Sequence, residues 1–351
     1  MRYRDAGVDI ARAEALKRRI AELVRSTWPA GAVPLAGGFA GVTRLPAGSG
    51  PAGGAGGSTL LAASMDGVGT KLHLAIAAGR VGGAAADLVY HGANDLLVHG
   101  ARPVAFLDYV AQGRLDPAVV LAAVGGIARG CAEVGAVLLG GETAEMPDTY
   151  LPEALDLAGC MLGVVPEGRL LDGRAVRAGD VLLGLAADGL HPNGYSLARA
   201  GLARSGLGLG DRLPGGSGET LGEALLAPHR WYGPALTPAL DERRVHALAH
   251  VTGGGIAGNL VRVLPPGCRA RVHAAAWPRP VVFRWLLSDG EVPEEDARSA
   301  FNLGVGMVVV CAPEQAVRLT GDLERSGERV FRLGSIHPGE CGVEWVEDSG
   351  P

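Results

Sequence analysis

Several short segments combine glycines with acids, amides or a lone base, and most follow an apolar run. The first is Asp66-Gly67-Val68-Gly69-Thr70-Lys71. Its glycines let the backbone turn tightly and aim N–H groups at phosphate oxygens, Lys71 adds a point charge, and Asp66 can reach a divalent metal. The spacing fits neither a Walker A loop nor a dinucleotide fingerprint, and the plain alternative is a glycine turn closed by a surface lysine. The second segment is Asn94-Asp95, and the third runs Gly140-Gly141-Glu142-Thr143-Ala144-Glu145-Met146-Pro147. Asp66, Asp95 and Glu142 all adjoin strongly apolar stretches, where an unpaired carboxylate is expensive to bury. One shared Mg2+ would remove that cost, although separate pairing is the commoner solution for any single acid.

The fourth segment, Asp188-Gly189-Leu190-His191-Pro192-Asn193-Gly194-Tyr195-Ser196, places a histidine beside amide and hydroxyl donors at a helix entrance. There it can serve as a general acid or base or as an anion ligand. A capping turn would explain Asn193 and Ser196 but gives His191 no work. The fifth, Thr252-Gly253-Gly254-Gly255, lets a phosphate approach free N–H groups at a helix N-terminus, or forms a tight structural turn. His246 and His250 sit four apart with no neighbouring acid or third ligand, which argues against zinc. Of the 32 basic residues only Lys17 and Lys71 are lysines, so Lys71 stands out.

These residues need strands and helices to hold them. TLLAAS, from Thr59 to Ser64, reads as a buried strand delivering Asp66. Ala84 to Gly100 has helical periodicity, with Asp87, His91, Asn94 and Asp95 recurring at spacings of three and four. Strands are expected at Pro103–Val110, Ala136–Leu139 and Leu157–Val165, and a helix from Pro117 to about Val134. GGETAEMP then follows the second of those strands. The polar stretch from Pro166 to Asp180 divides residues 1–168 from 169–351, and strands at Ala247–Val251, Arg269–His273 and Val305–Cys311 fit a second α/β unit.

Composition bounds the function. A net charge of −5 gives no basic face for nucleic acid and no polybasic membrane anchor. No apolar run is expected to reach bilayer length, and the 5 cysteines form no CxxC pair, which suits a reducing cytoplasm. The implied partners are small molecules.

In order along the chain, YRDAGVDI, GGFAG at Gly37–Gly41, DGVGTKL, DLVYHGANDLLVHGARPVAFLDYVA, GGETAEMP, HPNGYSLAR, HVTGGGIAGNLVRVLP and FNLGVGM resemble the phosphoribosylformylglycinamidine cyclo-ligases, or aminoimidazole ribonucleotide synthetases, essentially from end to end. Pro192 departs from that family's serine and removes an N–H and a hydroxyl beside His191. The resemblance implies two α/β domains, with the N-terminal halves of a homodimer joining their sheets. It implies ring closure of formylglycinamidine ribonucleotide to aminoimidazole ribonucleotide with ATP and Mg2+, giving ADP and phosphate. The N-terminal half would bind nucleotide and metal, and the C-terminal half substrate. Asp66, Asp95 and Glu142 would then serve Mg2+ and nucleotide phosphates, framed by Gly67, Gly69, Thr70, Asn94, Gly141 and Thr143. Lys71 would meet a transferred phosphate, while Thr252, Gly253, Gly254 and Gly255 with Asn193 and Ser196 would anchor substrate. His191 would move a proton. The rival readings are a sister ATP-dependent kinase or synthetase and a non-catalytic paralogue.

Overall fold

The computed structural model describes residues 38–45 and 58–347, with 16, 20–28, 33 and 35. The YRDAGVDI segment, Gly37 and the glycine-rich stretch up to Gly57 lie outside the described residues. In the N-terminal half, β1 (Gly41–Arg44), β2 (Thr59–Gly67), β3 (Arg102–Gln112), β4 (Val137–Glu145) and β5 (Leu155–Pro166) form one sheet in the order β1-β2-β5-β3-β4. Only the β3–β4 pair is parallel. Helices α1 (Lys71–Ala77), α2 (Val81–Leu97) and α3 (Pro117–Val134) accompany it. Residues 167–180 lead to a six-stranded sheet of β6 (Val181–Ala186), β7 (Ala247–His250), β8 (Cys268–His273), β9 (Val305–Cys311), β10 (Val330–Pro338) and β11 (Gly342–Val346), ordered β11-β8-β10-β6-β9-β7. Of the C-terminal helices, α4 (Tyr195–Ser205) and α5 (Gly255–Leu260) bear on the site.

Local chemistry explains the element ends. Asp116 caps α3 by accepting from the Ala118 N–H at 2.9 Å, Pro117 presets the first turn, and Gly135 ends the helix with a φ of 74°. β9 is buried along its whole length because β6 and β7 flank it. Trp277, Phe283 and Trp285 fill the surrounding core.

Two expectations need correction. The strand expected to end at Leu139 does not: β4 continues through GGETAE to Glu145, paired in parallel with β3. The register slips between Phe106 and Leu107, where Gly140 takes a φ of 140°, so the glycines serve a bulge. In addition, α3 is 18 residues long with a mean hydropathy of 1.4, which is enough to cross a membrane by length and composition. It instead lies along α2.

The α2–α3 approach is close enough to forbid side chains. A Cβ at Gly126 would lie 2.0 Å from the Gly82 carbonyl oxygen, backbone against backbone. Gly126→Val therefore forces the helices apart and is expected to destabilise the protein by about 1–3 kcal/mol. Urea denaturation with a circular dichroism readout measures this, and an unchanged midpoint would contradict the packing.

Candidate active site

The site is built outward from α2, where every residue from Ala84 to Leu97 is buried. The Asp87, His91, Asn94 and Asp95 stripe therefore faces protein, and each polar group must find a partner. Asp87 pairs with the Lys71 ammonium and accepts the His229 N–H at 2.7 Å. Asn94 donates to the Arg230 carbonyl at 2.8 Å and accepts the Tyr232 N–H at 3.2 Å. Asp95 accepts from the Ser64 hydroxyl at 2.9 Å and faces His250 Nδ1 at 2.9 Å. His91 Nε2 lies 2.8 Å from Asp66 Oδ2 and 3.7 Å from Asp95. One turn-by-turn stripe thus reaches α1, β2, β7 and the 229–232 loop.

Electrostatics follow from these contacts. Burial opposes the Asp66 and Asp95 charges, but His91 beside both, with His250 on Asp95, holds the two carboxyls below their usual range. Burial likewise opposes charge on His91, and the two acids outweigh it and raise its pKa. His191, His229 and His250 have their pKa values lowered, chiefly by burial.

The cleft between the halves carries the remaining donors. Thr70 Oγ1 and Ser196 Oγ meet at 3.1 Å across it. Gly253 backs onto Asn193, whose Oδ1 lies 3.1 Å from where a Cβ would stand, and the Asn193 Nδ2 is buried without a partner. Asn193 does not cap α4, whose first turn has no side-chain cap. Asp66 is the carboxylate that opens here, its side chain 47% exposed. A separate cavity of about 310 Å³ lies against β1 and β2, lined by Phe39, Val42, Ser64 and Met65 among others.

Several candidates take other positions than expected. Lys71 is fully buried against Asp87, with its Nζ 5.1 Å from the Tyr195 ring centre, so it is not presented to a phosphate. Burial lowers and Asp87 raises its pKa, and the net effect is upward. Asn94 is likewise consumed as a clamp. The Gly254 and Gly255 N–H groups bond to the Ser299 and Thr252 carbonyls at 3.0 Å each, so they are not free for an anion. Gly255 is required because a Cβ there would lie 1.9 Å from the Arg298 carbonyl oxygen. Thr252 turns inward to Asn259. His191 is entirely buried with neither ring nitrogen partnered.

Gly141, Glu142 and Thr143 stand apart on β4. Asp66, Gly159, Asp108 and Gly141 form one row across β2, β5, β3 and β4, so Asp66 and Gly141 are three strand spacings apart, about 14 Å. Glu142, next to Gly141, faces the opposite side of the sheet. Mg2+ holds its ligands at about 2 Å, so Asp66, Asp95 and Glu142 of one chain do not fit a shared ion. Gly141 lies under Asp108, whose Oδ1 is 2.2 Å from an added Cβ.

His229 was not singled out by the sequence. It is a lone histidine in an LAPHRWYG segment, and only its meeting with α2 gives it a role.

Fold and site define a two-domain α/β protein with a polar seam between its halves. Residues 49–165 match the AIR synthase related protein N-terminal domain, and residues 177–346 match its C-terminal domain. A phosphoribosylformylglycinamidine cyclo-ligase of Sorangium cellulosum (strain So ce56) is 45% identical over 337 residues, covering 95% of this chain and 94% of that protein. This chain belongs to the phosphoribosylformylglycinamidine cyclo-ligase family. Among solved structures, thiamine-monophosphate kinase from Stenotrophomonas maltophilia K279a superposes with a TM-score of 0.60 at 20% identity, covering 83% of this chain and 86% of that one. T. maritima PurL complexed with AMPPCP gives a TM-score of 0.53 at 18% identity, covering 82% of this chain and 42% of that one.

The Lys71–Asp87 pair yields a stability test. Lys71→Met leaves Asp87 charged and buried, a loss of about 3–5 kcal/mol, whereas Lys71→Met with Asp87→Leu removes both charges and recovers much of it. Urea titrations of the single and double variants measure the difference. Equal stability of Lys71→Met and wild type would place Lys71 in solvent.

Proposed function

We propose that this chain closes an imidazole ring, taking formylglycinamidine ribonucleotide and ATP to aminoimidazole ribonucleotide, ADP and phosphate. The observation that carries this reading is the 45% identity, over nearly all of both chains, to a protein of that name. The AMPPCP held by PurL, a protein of like fold, supports a nucleotide at this fold. The formamide oxygen is a poor leaving group. Phosphorylating it breaks the terminal P–O bond of ATP and releases ADP. A substrate nitrogen then attacks the formyl carbon, and the oxygen departs with phosphate.

The protein's share is positioning and charge complementarity. Thr70 and Ser196 offer hydroxyls from opposite walls of the cleft, Asn193 offers an amide N–H pair, and Asp66 offers a carboxylate to a cation or a substrate amine. Mg2+ enters with the nucleotide as part of the substrate, where it would neutralise phosphate charge.

We further propose a homodimer. The sheet face away from α2 carries Met65 and Leu107, which flank Cys160 in one row and are 72% and 40% exposed. Edge strand β4 adds Val137 and Leu139, 60% and 63% exposed. A second copy laid on this face would cover them and the unpaired edge.

Two measurements test these proposals. Incubation with Mg2+-ATP and formylglycinamidine ribonucleotide should give one aminoimidazole ribonucleotide per ADP. ADP formed only with another acceptor, such as thiamine monophosphate, would make the chain a sister kinase. Light scattering should report twice the 35.8 kDa chain mass, and Leu107→Asp should halve it. A wild-type monomer that still turns over would remove the dimer.

A further inference from the structure

Four histidines meet in the seam between the halves: His91 from α2, His250 from β7, His229 from the 229–232 loop and His191 from the loop before α4. All are at most 3% exposed. Ring centres lie 5.0 Å apart for His91–His250, 5.1 Å for His229–His250 and 3.9 Å for His191–His229.

Their hydrogen bonds do not close. Asp95 can only accept, so His250 Nδ1, 2.9 Å from it, carries the proton, and a neutral His250 has its lone pair on Nε2. The Asn94 amide is fixed in orientation by the Arg230 carbonyl and the Tyr232 N–H, so its Nδ2, 3.1 Å from His229 Nε2, donates there. His229 Nε2 therefore also presents a lone pair. These two Nε2 atoms face each other at 3.1 Å. With both rings neutral, either this contact or the Asn94–His229 hydrogen bond is left unmade, and a cation between the two nitrogens removes the conflict. His91 repeats the problem: Nε2 gives its proton to Asp66, and Nδ1 is buried with no partner.

We propose that His91, His229 and His250 form a binding site for one divalent transition-metal ion, of the class that includes Zn2+, which clips the two halves together. One ring nitrogen from each lies within 4.8 Å of the others. Metal–nitrogen bonds of about 2.0–2.1 Å in a tetrahedron put ligand atoms ~3.3 Å apart. The His229–His250 separation already suits that spacing, and His91 reaches it by a side-chain shift of about 1.5 Å. Asp66 behind His91 and Asp95 behind His250 supply the outer carboxylates that orient metal-bound imidazoles and balance the ion's charge. Neutral imidazole donors select Zn2+, Co2+, Ni2+ or Cu2+ over Mg2+. His191, its ring tilted at 40° to that of His229 with both nitrogens unpartnered, lies against the cluster. A metal here answers the unpartnered nitrogen of His91, takes the His229 Nε2 lone pair in place of the Asn94 N–H, and joins α2 of one half to β7 and the 229–232 loop of the other.

The test is metal binding by the full chain after chelator treatment and dialysis. Titration with ZnCl2, followed by calorimetry and elemental analysis, should show one tightly held Zn2+ per chain. Co2+ should give the visible absorption of a tetrahedral nitrogen site. His91→Gln and His229→Gln should each weaken binding at least 100-fold, while His246→Ala, which removes a ring bonded to Asp180 instead, should leave it unchanged. Circular dichroism establishes that each variant is folded. For a variant that fails to fold, protection of wild-type His229 from diethyl pyrocarbonate by Zn2+ gives the same answer. No retained Zn2+, or equal binding by the His91 and His229 variants, overturns the proposal. The ring-closing reaction is assayed separately and stands or falls on its own product.

Discussion

A helix buried on every face cannot carry two carboxylates, a histidine and an amide unless its surroundings answer each one. That constraint organises this molecule. Asp87, His91, Asn94 and Asp95 of α2 each reach outside their helix: Asp87 and Asn94 fix the 229–232 backbone, Asp95 meets β7, and His91 meets β2. Because three of the four partners sets involve the C-terminal half, the halves are joined by hydrogen bonds that solvent does not reach, where the cost of leaving one unmade is greatest.

The cleft follows from that joint. Holding α2 against β7 sets the end of β2 opposite the start of α4, so Thr70 meets Ser196 and Asp66 opens beside them. Glycines then work as clearances. Gly306 is an instance: a Cβ there would fall 2.4 Å from His191 Cε1 and 2.0 Å from the Tyr232 hydroxyl, so the glycine admits both rings. The Tyr232 hydroxyl in turn reaches the Ala186 carbonyl at 2.8 Å, tying the 229–232 loop to β6. The proposed ring closure by phosphoryl transfer would ask for such a preset frame more than for a reactive side chain.

Apolar runs and turn residues made much of the fold legible, including the Asp116-Pro117 start of α3 and the strand delivering Asp66. Periodicity marked the α2 stripe but not its direction, since three-and-four spacing looks the same whether polar groups face water or another domain. The strand was expected to stop before the two glycines that precede Glu142, while the structure uses Gly140 in a bulge, a feature fixed by pairing with β3 that local sequence does not encode. Lys71 looked accessible because its partner Asp87 lies a turn into the next helix, and its burial depends on tertiary contact. The family motifs include the α2 stripe and His250, but a lone residue such as His229 became meaningful only in three dimensions.

The polar face of α2 locks the halves into one cooperative unit, and the amides of His229 and Tyr232 report on it directly because they donate to Asp87 and Asn94. Hydrogen exchange of the native protein in low urea should find these two amides opening with the same free energy and urea dependence as the amides within α2. Exchange of His229 and Tyr232 at the rate of an unprotected loop, with α2 still closed, would contradict the account.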